Sequence, residues 1–118
     1  MGSDKIRELV KKIYEALSNK KALNIKVIDI TKLTVVADYF VIASASNPLQ
    51  MAALQDAVDE VMYKNGITTG RIEGKKDSTW LLMDYQDVIV HLFTEQDRKF
   101  YDLERIWQDG VMVDPDEL

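Results

Sequence analysis

Residues 78–93, Ser-Thr-Trp-Leu-Leu-Met-Asp-Tyr-Gln-Asp-Val-Ile-Val-His-Leu-Phe, constrain the fold more than any other stretch of the chain. They read as two strands joined by a tight polar turn, Asp84-Tyr85-Gln86-Asp87. A strand sends alternate side chains to opposite faces. The first strand therefore places Trp80, Leu82 and Asp84 on one side and Leu81, Met83 and Tyr85 on the other. The second places Val88, Val90 and Leu92 on one side and Ile89, His91 and Phe93 on the other. Both sides are apolar, so each needs a cover, from the rest of the chain or from a partner.

The segments before this hairpin supply part of that cover. Residues 4–18 carry Ile6, Leu9, Val10, Ile13, Tyr14 and Leu17 at the spacing of one helical stripe, with lysines and glutamates opposite. Residues 25–30 turn β-branched (Ile25, Val27, Ile28, Ile30), which predicts a strand. After a polar corner at Thr31-Lys32, Val35 to Ala43 predicts a second strand, apolar on both faces and therefore central. Asn47 suits an N-cap, Pro48 the first helical position and Gln50 a capping box, so a helix should start there. Its core stripe is Leu54, Ala57, Val58, Val61 and Met62, and Gly66 is its natural stop. Residues 70–74 suggest a short strand and 74–77 a turn. Thr94 and Asp97 open a last helix containing Phe100, Leu103 and Trp107.

The predicted order is α-β-β-α-β-β-β-α, an α/β fold with a single five-stranded sheet. It forms one domain over residues 1–108, with an acidic tail over 109–118. Five strands at about 4.8 Å spacing make a sheet roughly 24 Å wide. Two long helices side by side can cover one face of it. The third covers only part of the other, so a portion of the hairpin's second side should stay open as a binding surface.

The remaining chemistry is narrow. A formal net charge of −5 argues against binding nucleic acid through its phosphates and favours a basic protein partner. With no cysteine, disulfides and thiolate metal sites are excluded. No apolar run approaches a membrane span and no signal-peptide core is present, which points to the cytoplasm, or to an organelle if a targeting segment has been removed. His91 is the single histidine; it could act as an acid or base, but a half-buried strand histidine with one hydrogen bond is the plainer reading. Asp38, Asp84 and Asp87 fall at strand ends. Together they could hold magnesium for a nucleotidyl transferase or hydrolase, whereas turn-forming aspartates are the plainer account. Trp80 is the most informative residue. A strand tryptophan is ordinarily core, but this one shares a face with Leu82 and Asp84, the combination that anchors a basic partner.

Three segments in register carry a family resemblance. Ala37–Asn47 (ADYFVIASASN) resembles an Asp-Tyr/Phe strand running into a Ser/Thr-rich turn. Glu73–Phe93 (EGKKDSTWLLMDYQDVIVHLF) resembles a Glu-Gly…Trp strand pair with Asp-x-x-Asp at its turn. Arg98–Trp107 (RKFYDLERIW) resembles a Tyr-x-Leu-Glu-x-x-Trp helix. Together they resemble the Iojap family, the bacterial and organellar ribosomal silencing factors. One departure is Gln86, where the family usually has glycine. The resemblance implies a mixed sheet similar to nucleotidyltransferases without their catalytic carboxylates, no enzymatic activity and no cofactor or metal. It implies a large-ribosomal-subunit partner, through large-subunit ribosomal protein fourteen, and a block to joining of the small subunit that lowers translation under nutrient limitation. A role in large-subunit biogenesis and a homodimer when free are further expectations. Neither membrane nor sequence-specific nucleic acid is expected as a partner. The partner-binding residues expected are Glu73, Trp80, Leu82, Met83, Asp84, Tyr85, Asp87 and Tyr101.

Overall fold

The computed structural model describes residues 3–32, 37–67, 71–74, 80–95 and 111–113, with backbone alone at 3, 4, 71, 111 and 112. The elements run α1 (Ser3–Asn19), β1 (Leu23–Asp29), β2 (Tyr39–Ala45), α2 (Pro48–Lys64), β3 (Arg71–Glu73), β4 (Trp80–Asp84), β5 (Val88–Thr94) and β6 (Val111–Met112). The strands form one mixed sheet in the order β3-β4-β5-β2-β1-β6. Among the described strands, β2 and β5 run parallel and the other pairings are antiparallel. The five expected strands are all present. β6 adds a two-residue sixth, paired with Ile28 and Asp29, within the stretch read as an acidic tail. The expected last helix, with Phe100, Leu103 and Trp107, lies outside the described residues, as do Val35 and Val36.

Local chemistry places each element. The apolar stripe of α1 is buried from Ile6 to Leu17, with Tyr14 packed at its margin. The N-cap of α2 is Asn47, whose side chain accepts the Gln50 N–H at 2.8 Å. Gln50 Oε1 accepts the Ser46 N–H in return, and its amide nitrogen donates to the carbonyls of Lys20 and Lys21. One side chain thus closes the cap and ties the start of α2 to the end of α1. The far end of α2 stops as expected at Gly66, φ +76°, where Ile67 N–H reaches back to the Met62 carbonyl.

α1 packs over β1 and β2, and α2 over β2 and β5. Under the helices lie Val27, Val41, Ala43, Leu81, Met83, Tyr85, Val88, Val90 and Leu92, with Met51, Leu54, Val58 and Met62 from α2. A second cluster occupies the other face: Ile28, Ile30, Ala37, Phe40, Ile42, Ile89 and Phe93, with Leu82 at its margin. β2 is buried along its whole length, as a central strand apolar on both faces must be. The hairpin therefore divides as the alternation requires. Leu81, Met83, Val88, Val90 and Leu92 face the helices; Trp80, Leu82, Ile89, His91 and Phe93 face away. Most of the second face is sealed too, and exposure returns toward β4 and β3 and at Lys26 of β1.

Candidate functional site: an acid-edged tryptophan at the rim of the sheet

The site is the β3–β4 end of the face turned away from the helices. Backbone register brings its residues into rows. Trp80 lies across from Phe93, Leu82 from His91 on one side and from Glu73 on the other, and Asp84 from Ile89. β5 continues the rows into β2, pairing Ile89 with Phe40 and His91 with Ile42. Directly paired residues on one face hold their Cβ atoms roughly 5 Å apart, close enough for rings to meet.

The rings do meet. Trp80 stacks on Phe93 with centroids 5.9 Å apart and planes 6° from parallel. Phe93 lies 6.3 Å from the His91 ring, and His91 meets Phe40 edge-on at 4.9 Å. A row of four rings crosses three strands, buried at Phe40, His91 and Phe93. At its outer end Trp80 is 38% exposed. Leu82 is half-buried, Asp84 half-buried and Glu73 exposed. The indole is thus held from beneath by a packed ring, with carboxylates within the same edge of the sheet. Such pre-ordering suits a contact residue, since little side-chain freedom remains to be lost on docking.

His91 departs from expectation. It is 5% exposed rather than half-buried, and among the described residues neither ring nitrogen has a hydrogen-bond partner. Burial among apolar groups pushes its imidazole down to about 4, so the ring is neutral at pH 7. Among the described residues no donor or acceptor is hydrogen-bonded to it to tune proton transfer, and a role as acid or base finds no support in this geometry.

Two expected contact residues are corrected. Met83 is 0% exposed, deep under the helices, because the alternation that turns Trp80 outward turns Met83 inward. Tyr85 is 5% exposed, and its hydroxyl donates to Asp59 Oδ1 of α2 at 2.7 Å. Burial and that carboxylate both push the phenol's pKa upward. Tyr85 latches the end of β4 to α2 and is not at the rim. Tyr101 lies outside the described residues. Asp87 sits in the hairpin turn, half-buried, and its carbonyl accepts the N–H groups of Asp38 and Tyr39.

Of the carboxylates considered for metal chemistry, that of Asp84 has local work. Asp84 Oδ1 accepts the Gln86 N–H at 2.9 Å, shaping the turn. Among the described residues, no group of three or more histidine, aspartate or glutamate side chains could hold a metal ion. Gln86 adopts φ +74°, the left-handed region that favours glycine. The residues that sequence reasoning did not assemble are Phe40, His91 and Phe93 as the support of Trp80. Their period-two spacing was visible, but their strand neighbours were not.

The comparisons with known proteins agree with this architecture. The family described as "Ribosomal silencing factor during starvation" matches residues 3–118. The chain belongs to this family. Relatives include the ribosomal silencing factor RsfS of Bacillus subtilis, 32% identical over 110 residues and covering 93% of both chains. That of Zymomonas mobilis is 37% identical, over 86% of this chain and 77% of the relative. The chloroplastic protein Iojap of Zea mays is 29% identical over 86% of this chain and 44% of its own length. These relatives are named as silencing factors or Iojap proteins, not as enzymes. A crystal structure of a Chromobacterium violaceum protein superposes with a TM-score of 0.83 at 31% identity, covering 87% of this chain and 86% of that one. One from Bacillus halodurans gives 0.80 at 29% identity, covering 91% and 97%. Among the described residues, no helix is long and apolar enough to cross a membrane.

Proposed function

We propose that this chain is a steric repressor of translation. It binds the large ribosomal subunit through large-subunit ribosomal protein fourteen and occludes the small subunit, lowering translation under nutrient limitation. The same binding gives it a part in large-subunit biogenesis. It works in a bacterial cytoplasm, or in an organelle. Membership of a family described by ribosomal silencing supports the ribosome as target. The observation that carries the reading is Trp80, held 38% exposed against a buried ring, with Leu82 next on the same face and Glu73 and Asp84 further along it. An acid-edged aromatic anchor on a chain of net charge −5 complements a basic ribosomal protein. Exclusion needs only affinity and position, so no catalytic group is required.

Trp80 is the central contact and Leu82 its apolar neighbour. Glu73, Asp84 and Asp87 meet lysines and arginines. In a gradient with separated subunits, the protein should travel with the large subunit alone and keep it from joining the small one. Trp80→Ala should weaken that binding by about 2–4 kcal/mol, roughly 30- to 1,000-fold. Unchanged affinity in a folded Trp80→Ala protein removes the residue from the contact. When free, the same rim is available to a second copy, giving a homodimer that competes with the ribosome. Sedimentation with and without large subunits tests whether the two states exclude each other.

A further inference from the structure

Gly74 ends β3 with φ +100°. A Cβ at this position would lie 2.5 Å from the Trp80 carbonyl oxygen, 3.2 Å from Leu81 Cα and 3.3 Å from Leu81 Cδ1. The first two belong to the backbone linking Trp80 to Leu81. They cannot swing aside as a side-chain tip can. That same peptide unit sets how the indole leaves β4, because it fixes the strand's pleat where Trp80 turns to one face and Leu81 to the other. Gly66 offers a contrast within the molecule: its φ is +76°, yet an added Cβ would meet nothing within 4 Å.

We propose that Gly74 is a positioning residue for the docking tryptophan: the bare backbone at 74 lets β3 close on the start of β4 and so seats Trp80 flat on Phe93. The inference rests on the reading of Trp80 as the contact with the large subunit. A side chain at 74 pushes the Trp80–Leu81 peptide away from β3, tilts the indole off its supporting ring and loses the pre-ordered surface. A side chain at 66 adds backbone strain of the same kind without that collision.

The test compares Gly74→Ala with Gly66→Ala in full-length protein labelled with 5-fluorotryptophan, the Trp80 fluorine resonance being assigned with Trp80→Phe. Gly74→Ala should move that resonance and lower affinity for large subunits by about tenfold or more, part of what the loss of an anchor removes. Gly66→Ala should lower the melting temperature but move neither. In a Trp80→Ala background, Gly74→Ala should add no further loss of affinity. An unmoved Trp80 resonance, an additive loss in the double variant, or an equal loss of affinity in Gly66→Ala overturns the proposal. If Trp80→Ala itself leaves binding intact, the docking reading fails, and the fluorine shift still decides whether Gly74 sets the indole. Should Gly74→Ala not fold, D-alanine introduced at 74 by ligation replaces it. Positive φ is ordinary for a D-residue and its methyl projects from the other side of Cα. It should keep the native resonance and affinity, and a displaced resonance there also overturns the assignment.

Discussion

The two faces of the sheet carry equally apolar sequences and end in different states. Under α1 and α2, Leu81, Met83, Val88, Val90 and Leu92 are sealed, and Tyr85 is fastened to Asp59. On the other face the apolar row is buried at Phe40, His91 and Phe93 but reaches the surface at Trp80. On the first face the buried Tyr85 hydroxyl has a partner in Asp59. The second tolerates a buried imidazole with none among the described residues and leaves its largest ring 38% exposed. A face optimised only for stability would do neither, since an unpartnered buried polar group costs free energy and so does an exposed tryptophan. The contrast separates a face that holds the fold from one whose rim carries the docking surface proposed above.

That separation can be broken at several points. The largest effect belongs to the sealed face. Leu54→Ala should destabilise the protein by about 2–5 kcal/mol in denaturant unfolding, since Leu54 is fully buried and its loss leaves a cavity. Its folded fraction should still bind large subunits, the reverse of Trp80→Ala. Comparable binding defects in the two variants at equal folded concentration would erase the distinction between faces.

His91 gives the next effect and fixes its sign. Its ordinary value is 6.5 and its folded value is depressed to about 4 by burial. As pH falls below 6.5 the unfolded chain takes a proton that the folded protein refuses. Stability is therefore full above pH 6.5 and drains away down to about pH 4, by roughly 3 kcal/mol in total. His91→Phe retains a ring between Phe40 and Phe93 and should flatten that part of the profile. Parallel profiles for the two proteins in unfolding experiments between pH 4 and 7 would mean the imidazole is not buried neutral.

Tyr85→Phe removes only the hydroxyl that reaches Asp59. Unfolding should become easier by about 1–2 kcal/mol, with binding to large subunits unchanged. A binding defect there would return Tyr85 to the contact surface. The smallest effect is a gain. Gln86 holds φ +74°, which costs a side-chain-bearing residue but not glycine, so Gln86→Gly should stabilise by up to about 1 kcal/mol in thermal melts. A destabilised Gln86→Gly would show that the glutamine side chain contributes more than its backbone strain costs.

Much of the fold was legible because its signals are local. Asn47 before Pro48 marks a helix start, Gly66 marks its end, and the alternation in 80–93 marks both strands. Residues two apart share a face whatever the strand's neighbours, which is why Trp80 and Leu82 could be grouped and Met83 set opposite. The candidate site was less legible. Nothing local in Ile89-Val90-His91-Leu92-Phe93 says that Phe93 will lie beneath Trp80, or that His91 will find no partner between two phenylalanine rings. Nor does Glu73-Gly74 announce that a side chain at 74 would run into the carbonyl of residue 80.

The sequence by itself determined the kinds of element, where they start and stop, and which side chains travel together. Tertiary structure decided which of the two apolar sides the helices would take and that β2 and β5 would lie parallel. It also recruited Val111–Met112 as a sixth strand and left the tryptophan at the edge. Alternation and capping are properties of neighbouring residues, whereas the choice of side and of strand partner depends on pairings between segments far apart in the chain. Those pairings exist only once the layers have assembled.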